Sequence, residues 1–191
     1  PLAASDQAER CACLADYLAP ATDAGPVDTL GAFAVTAGPE IEAWADEYTA
    51  DNDDYRAIMI RALADRIAEA LAEWLHREVR RRWYAAEETL SVDDLVAERY
   101  AGIRPAPGYP ACPDHTEKAI IWQMLGAEQA IDVRLTESYA MHPASSVSGW
   151  YFGPAARYLN LGTILPDQRD DYAARKGWSP EEAERWLRPH L

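Results

Sequence analysis

Residues 104 to 115 read Arg104-Pro105-Ala106-Pro107-Gly108-Tyr109-Pro110-Ala111-Cys112-Pro113-Asp114-His115, with four prolines and one glycine around a single arginine and a single tyrosine. Each proline fixes its own φ and drives the preceding residue into extended conformations, which predicts a pre-ordered arch from Ile103 to Ala111 with one permissive hinge at Gly108. A stiff arch can offer backbone groups to a ligand with little entropy left to lose. Glu98 lies six residues before Arg104, so a carboxylate, a guanidinium and an aromatic ring fall within one short segment. An α-amino acid, with its ammonium, carboxylate and side chain, is the complement of that set. A structural ion pair between Arg104 and Glu98 accounts for the same residues, and residue types alone leave both readings open.

Other candidates are weaker. Cys112-Pro113-Asp114-His115 invites a metal or nucleophile reading, but the four histidines, His76, His115, His142 and His190, show no zinc-motif spacing. Asp114 reads better as a helix cap. Glu69, Glu73 and His76 share one side of a long predicted helix; Glu73 and His76 read as surface residues, while Glu69 is open to either a functional or a solvated role. Gly149, in Ser148-Gly149-Trp150-Tyr151-Phe152, permits close approach of a backbone or a flat ligand, and Tyr158 could stack on a ring.

The elements that must position these residues follow from periodicity. A helical pattern over Ala3 to Leu18 is broken by Pro20 to Pro26, and Leu30 to Thr36 reads as a buried strand followed by a short acidic helix from Glu40 to Thr49. The longest helix is predicted from about Asp53 to Trp83, with Asp53 and Asp54 complementing its N-terminal dipole. Its apolar arc of Ile60, Leu63, Ile67, Ala70, Leu71, Trp74 and Leu75 is widened by Ala64, Ala68 and Ala72, so burial on two sides is expected. Ser91 to Asp94 caps a short helix through Tyr100, and Asp114 to Glu117 starts another that runs to about Ala130. Alternation then predicts an antiparallel meander of three strands, Val133 to Met141, Val147 to Phe152 and Arg157 to Ile164. Two helices close the chain, Pro166 to Lys176 and Pro180 to Leu187. Helices around an antiparallel sheet, in no βαβ order, define an α+β class.

Composition sets the boundaries of function. The 191 residues carry a net charge of −14, which argues against nucleic acid as the natural partner. The basic run Arg77 to Arg82 sits where it complements a helix C-terminus. Three cysteines, Cys11, Cys13 and Cys112, form no disulfide framework, which points to a reducing, cytoplasmic setting. No segment approaches membrane-spanning length, so no membrane partner is expected. The chain opens on Pro1-Leu2-Ala3 without methionine, which leaves a fragment of something longer and a naturally short protein both open. No nucleotide-binding glycine motif occurs.

Taken in order, several blocks resemble the C-terminal activation domain of cobalamin-dependent methionine synthase, the module that binds S-adenosylmethionine. They are Gly102 to Pro113, His115-Thr116-Glu117-Lys118, Leu135-Thr136-Glu137-Ser138 and Ser146 to Phe152, with Gly31 to Thr36 and Ala62-Leu63-Ala64-Asp65-Arg66 in support. The resemblance covers nearly the whole chain, read as one domain over residues 1–191. It implies a C-shaped α+β domain built on a twisted antiparallel sheet flanked by helices, with S-adenosylmethionine along the arch. Carried over position by position, Arg104 pairs with the methionyl carboxylate, and Ala106, Gly108 and Tyr109 supply backbone and ring contacts. Glu98 and Glu69 line the cleft, and Tyr158 borders the nucleoside.

The implied function is reactivation. Such a domain docks over the cobalamin-binding domain, which holds the cobalamin, and presents a methyl group while flavodoxin or an equivalent reductase supplies an electron. No catalytic acid, base or metal is implied, because orientation and enclosure suffice for an electrophilic sulfonium methyl. Two departures from the family stand out: its N-terminal portion, with an aspartate near the ligand ammonium, is not matched, and Leu159 stands where the family commonly has a second tyrosine. The zinc, folate and cobalamin modules are not represented, so the chain alone is not expected to make methionine. The alternative is a docking module for the cobalamin domain or a reductase with an incomplete ligand site, with Asp65 a candidate contact.

Overall fold

The computed structural model describes residues 13–22, 25 and 27–191. Most of the predicted first helix therefore lies outside the described residues, as does Cys11; its described end is a short 3-10 turn at Leu14–Tyr17. The elements that follow are β1 (Gly31–Thr36), α1 (Glu40–Ala50), α2 (Asp54–Trp83), α3 (Val92–Val96), α4 (Glu117–Leu125), α5 (Ala127–Ile131), β2 (Arg134–Leu135), β3 (Met141–His142), β4 (Ser146–Tyr151), α6 (Pro166–Lys176) and α7 (Pro180–Leu187). The α+β class holds, with small antiparallel sheets flanked by helices.

Helix boundaries follow local chemistry. Asp53 accepts the Arg56 N–H at 3.0 Å, and Ser91 accepts the Asp94 N–H at 3.1 Å while Asp94 accepts the Ser91 N–H at 3.2 Å, a reciprocal satisfaction of orphan donors. Ser179 likewise caps α7, with Pro180 at its first position. The helix predicted from Thr116 to Ala130 is split into α4 and α5 by Gly126, whose φ of 58° gives α4 a left-handed C-cap.

The predicted meander is corrected. β4 pairs antiparallel with β1, from Gly31 opposite Tyr151 to Thr36 opposite Ser146. Its other edge is taken by the proline arch: the Trp150 N–H donates to Pro105 O and the Phe152 N–H to Ile103 O, both at 3.0 Å. A proline offers no donor but keeps its carbonyl, so an edge position suits it. With both edges of β4 occupied, residues 157–164 have no strand to join and run irregularly. The predicted strand at Val133 to Met141 folds back on itself as β2 and β3, because Thr136 Oγ1 accepts the Ala140 N–H at 3.1 Å and the Thr136 N–H donates to Ala140 O at 2.9 Å, closing a turn.

The sheet separates two apolar clusters. On one face Phe33, Val35 and Tyr151 pack on Ala72 of α2, with Leu75, Val79 and Trp83 beside them. On the other, Ile103, Trp150 and Phe152 pack on Ile121 of α4 and on Ala156. The α2 face that meets protein is also corrected. Ala57, Ala64, Ala68, Ala72, His76 and Arg80 are buried, whereas Leu63 and Ile67 of the predicted arc are 58% and 57% exposed. Alanine lets the helix approach the sheet closely; larger side chains on that line would hold the two apart. Gly149 serves the same closeness, since a Cβ there would lie 2.7 Å from Pro105 O and 2.9 Å from the Phe33 ring.

Candidate functional site

Because the arch runs beside β4 and under α2, Arg104 and Ala106 face the helix while Ile103 and Pro105 face away. Arg104 sits in a cluster of polar groups and is only 15% exposed. Its Nη1 is 2.7 Å from Glu73 Oε2, donates to Tyr100 Oη and lies 3.4 Å from His76 Nδ1. Its Nη2 is 3.8 Å from Glu98 Oε1. The Arg104 backbone N–H donates to Tyr158 Oη at 3.3 Å.

Behind this cluster stands a support built from α2 and the loop after it. The Arg80 guanidinium lies 3.8 Å over the Tyr100 ring and is held by Glu88, with Nε to Oε1 at 3.0 Å and Nη2 to Oε2 at 2.7 Å. His76 stacks on Tyr151 at 5.1 Å between centroids and meets the Tyr100 ring edge at 5.0 Å. Burial, with help from the Arg80 and Arg104 charges, pulls the His76 pKa down to about 3. The imidazole is therefore neutral at physiological pH and adds no charge against Arg104. Burial also raises the Tyr100 and Tyr151 phenols, so both stay protonated.

The next stretch of the arch opens on a cleft of about 500 Å³ lined by Glu69, Ala106, Tyr109, His115, Lys118, Ser138, Ser148 and Trp186. Tyr109 is 64% exposed at its rim. The hinge at Gly108 has φ +98°, and a Cβ there would strike the His115 imidazole; its N–H donates to Cys112 O at 2.7 Å, closing the bend. Glycine meets both requirements. On the cleft floor, Lys118 Nζ is 2.8 Å from His115 Nδ1, and burial lowers the pKa of both groups. Ser148 Oγ is buried without a hydrogen-bond partner among the described residues.

The predicted site residues thus fall into two adjoining groups. Glu69, Ala106 and Tyr109 line the cleft, with Gly108 forming the bend. Arg104, Glu98 and Tyr158 belong to the polar cluster. The surface reading of Glu73 and His76 is corrected: the Glu73 side chain is 18% exposed and His76 is 1% exposed. Tyr100, Arg80 and Glu88 were not singled out either. Glu73 follows Glu69 by one helical turn, and that spacing was the available signal; nothing local ties Arg80 to Tyr100.

The cap expected at Asp114 is corrected: Thr116 holds the N-cap position of α4, and Asp114 instead braces the turn before it. It accepts from the Thr116 N–H at 2.8 Å and from Tyr172 Oη at 2.6 Å, and it pairs with Lys176 at 3.0 Å, locking the start of α4 to α6. No group of three or more potential metal ligands occurs among the described residues. Likewise, no described helix is long and apolar enough to cross a membrane.

A crystal structure of the MetH reactivation domain bound to AdoHcy superposes with a TM-score of 0.89 at 55% identity, covering 94% of this chain and 56% of that one. This chain therefore spans a little over half the length of that relative. The family model for the activation domain of vitamin B12 dependent methionine synthase matches residues 3–177. With an arginine-bearing arch, an adjoining cleft and a match over most of its length, the chain belongs to the vitamin B12-dependent methionine synthase activation domains.

Proposed function

We propose that this domain binds S-adenosylmethionine through its amino-acid end and presents the methyl group for reductive methylation of oxidised cobalamin during methionine biosynthesis. The observation that carries this reading is the shielded guanidinium of Arg104, two residues along the arch from Ala106, which lines the adjoining cleft with Glu69 and Tyr109. The donor set fits the ligand: a guanidinium for the carboxylate, acidic groups at Glu69 and Glu98 for positive charge, and an exposed tyrosine for a ring or methylene surface. Tyr158, bonded to the arch backbone, keeps Arg104 in register. The sulfonium supplies an electrophilic methyl group, so the chain's own contribution is to bind, orient and exclude water.

In this reading the domain is one part of a methyltransferase and has no turnover by itself. The cobalamin-binding domain of the same enzyme and a reductase such as flavodoxin complete the reaction, in the cytoplasm. Calorimetry and thermal unfolding with S-adenosylmethionine test it. The ligand raises Tm, by the equivalent of about 2.7 kcal/mol at a hundredfold excess over Kd, and Arg104→Ala removes the shift. A shift preserved in the variant excludes Arg104 from the site.

A docking role has its own support. Leu63, Ile67 and Trp74 present an exposed apolar line along α2, and such lines mark surfaces that meet protein. Asp65 is a weaker contact candidate, since it accepts from Ser145 Oγ at 2.7 Å within the fold. No calorimetric signal from S-adenosylmethionine would favour this second role.

A further inference from the structure

Arg104 already has a carboxylate partner. Glu73 Oε2 lies 2.7 Å from Nη1, with both side chains largely withdrawn from water, and it also accepts from Tyr100 Oη at 3.2 Å. Glu98 is different: half exposed and 3.8 Å from Nη2. Glu73 is used by only one of its oxygens. Oε1 is buried and has no hydrogen-bond partner among the described residues, an unfavourable state for a carboxylate whose purpose is structural.

We propose that Glu73 is an internal placeholder on Arg104, exchanged for the carboxylate of an incoming α-amino-acid group and then used as an acceptor for that group's ammonium. The inference rests on the reading of Arg104 as the carboxylate-binding residue and adds a specificity determinant to it. The exchange is non-covalent and conserves charge pairing. The Arg104–Glu73 contact opens, an Arg104–ligand carboxylate contact forms, and Glu73 turns its spare oxygen to the ligand cation. Without ligand, Glu73 spares the protein a buried unpaired guanidinium. With ligand, it discriminates: a zwitterion replaces both ends of the broken pair, whereas a molecule with only a carboxylate leaves Glu73 displaced and unpaired.

The test compares three probes on the same chain by calorimetry: S-adenosylhomocysteine, its deaminated analogue with the carboxylate but no ammonium, and 5′-methylthioadenosine with neither group. In Glu73→Gln the competing charge is gone. The deaminated analogue then binds about tenfold tighter than to wild type, its disadvantage against S-adenosylhomocysteine shrinks, and 5′-methylthioadenosine is unchanged. If Glu73 only holds Arg104 in place, both carboxylate probes weaken together and the proposal is overturned; an unchanged affinity for the deaminated analogue overturns it equally. Should Glu73→Gln not fold, Glu73→Asp draws the carboxylate back from Nη1 and weakens the contact while keeping its charge, and a smaller gain in the same direction is expected, its absence overturning the proposal. S-adenosylhomocysteine binding that is lost in Arg104→Ala, with no gain in Glu73→Gln, sinks the placeholder alone. Absence of binding to the wild-type chain removes the underlying reading and the placeholder together.

Discussion

Glu88→Gln tests the support beneath Arg104. Arg80 has a fully buried side chain, and its carboxylate partner Glu88 is 11% exposed. Two of the guanidinium nitrogens bond to Glu88, while Nη1 has no partner among the described residues. The Gln substitution preserves shape but removes the charge and turns one acceptor oxygen into a donor facing other donors. What remains around the guanidinium is the Tyr100 ring at 3.8 Å, and a cation–π contact of roughly 2 kcal/mol does not replace an ion pair in a dry site. Breaking a buried pair from one side costs about 3–5 kcal/mol. For a domain of this size each kcal/mol lowers Tm by roughly 2–4 °C, so a fall on the order of 10 °C is expected. Circular dichroism or scanning calorimetry reads it directly. Restoring balance with Arg80→Met in the Glu88→Gln background should recover much of the loss, because the cost comes from an uncompensated charge. A Tm within about 2 °C of wild type for Glu88→Gln alone would refute the argument, since it would mean that water reaches Arg80.

Two further outcomes are expected. Ala72→Leu forces bulk between α2 and the Phe33, Val35 and Tyr151 cluster and should cost about 1–3 kcal/mol in urea unfolding; a neutral result would show slack at that contact. His76 sets a pH dependence: its folded pKa is depressed to about 3 from 6.5, so the unfolded chain binds the extra proton between those values. Stability from this group is complete above pH 6.5 and is lost as pH falls towards 3, by about 1.4 kcal/mol per pH unit. Unfolding free energies of wild type and His76→Phe at pH 7 and pH 5 should therefore differ in slope, the variant being flatter; parallel slopes would show that His76 is not the titrating group.

How legible the chain is depends on the range over which each feature is decided. Helices α1, α2, α6 and α7 could be placed from caps, prolines and periodicity, which act within a few residues. The strands could not: β4 joins β1 across more than a hundred intervening residues and takes the arch on its other side, so the alternation that suggested three neighbouring strands described side-chain polarity without naming partners. The long helix makes the same point. Its large apolar residues marked an amphipathic stripe, yet the sheet chose the alanine face, because close approach rewards small side chains more than large ones.

The functional residues divide along the same line. Arg104, Gly108 and Tyr109 stood out because prolines stiffen the chain around them and the φ of Gly108 excludes most side chains, both local properties carried by residue type. That Arg104 would meet Glu73, His76 and Tyr100, and that Arg80 and Glu88 would brace Tyr100 from below, depends on how α2 crosses the arch. By itself, the amino-acid sequence determined the stiff arch and the helices, and left Arg104 open between a ligand contact and an ion pair. Only the tertiary structure decided which carboxylate holds Arg104, because ion pairing and burial are set by distance in space, and two glutamates of identical chemistry come to differ when one is shielded and the other remains in water.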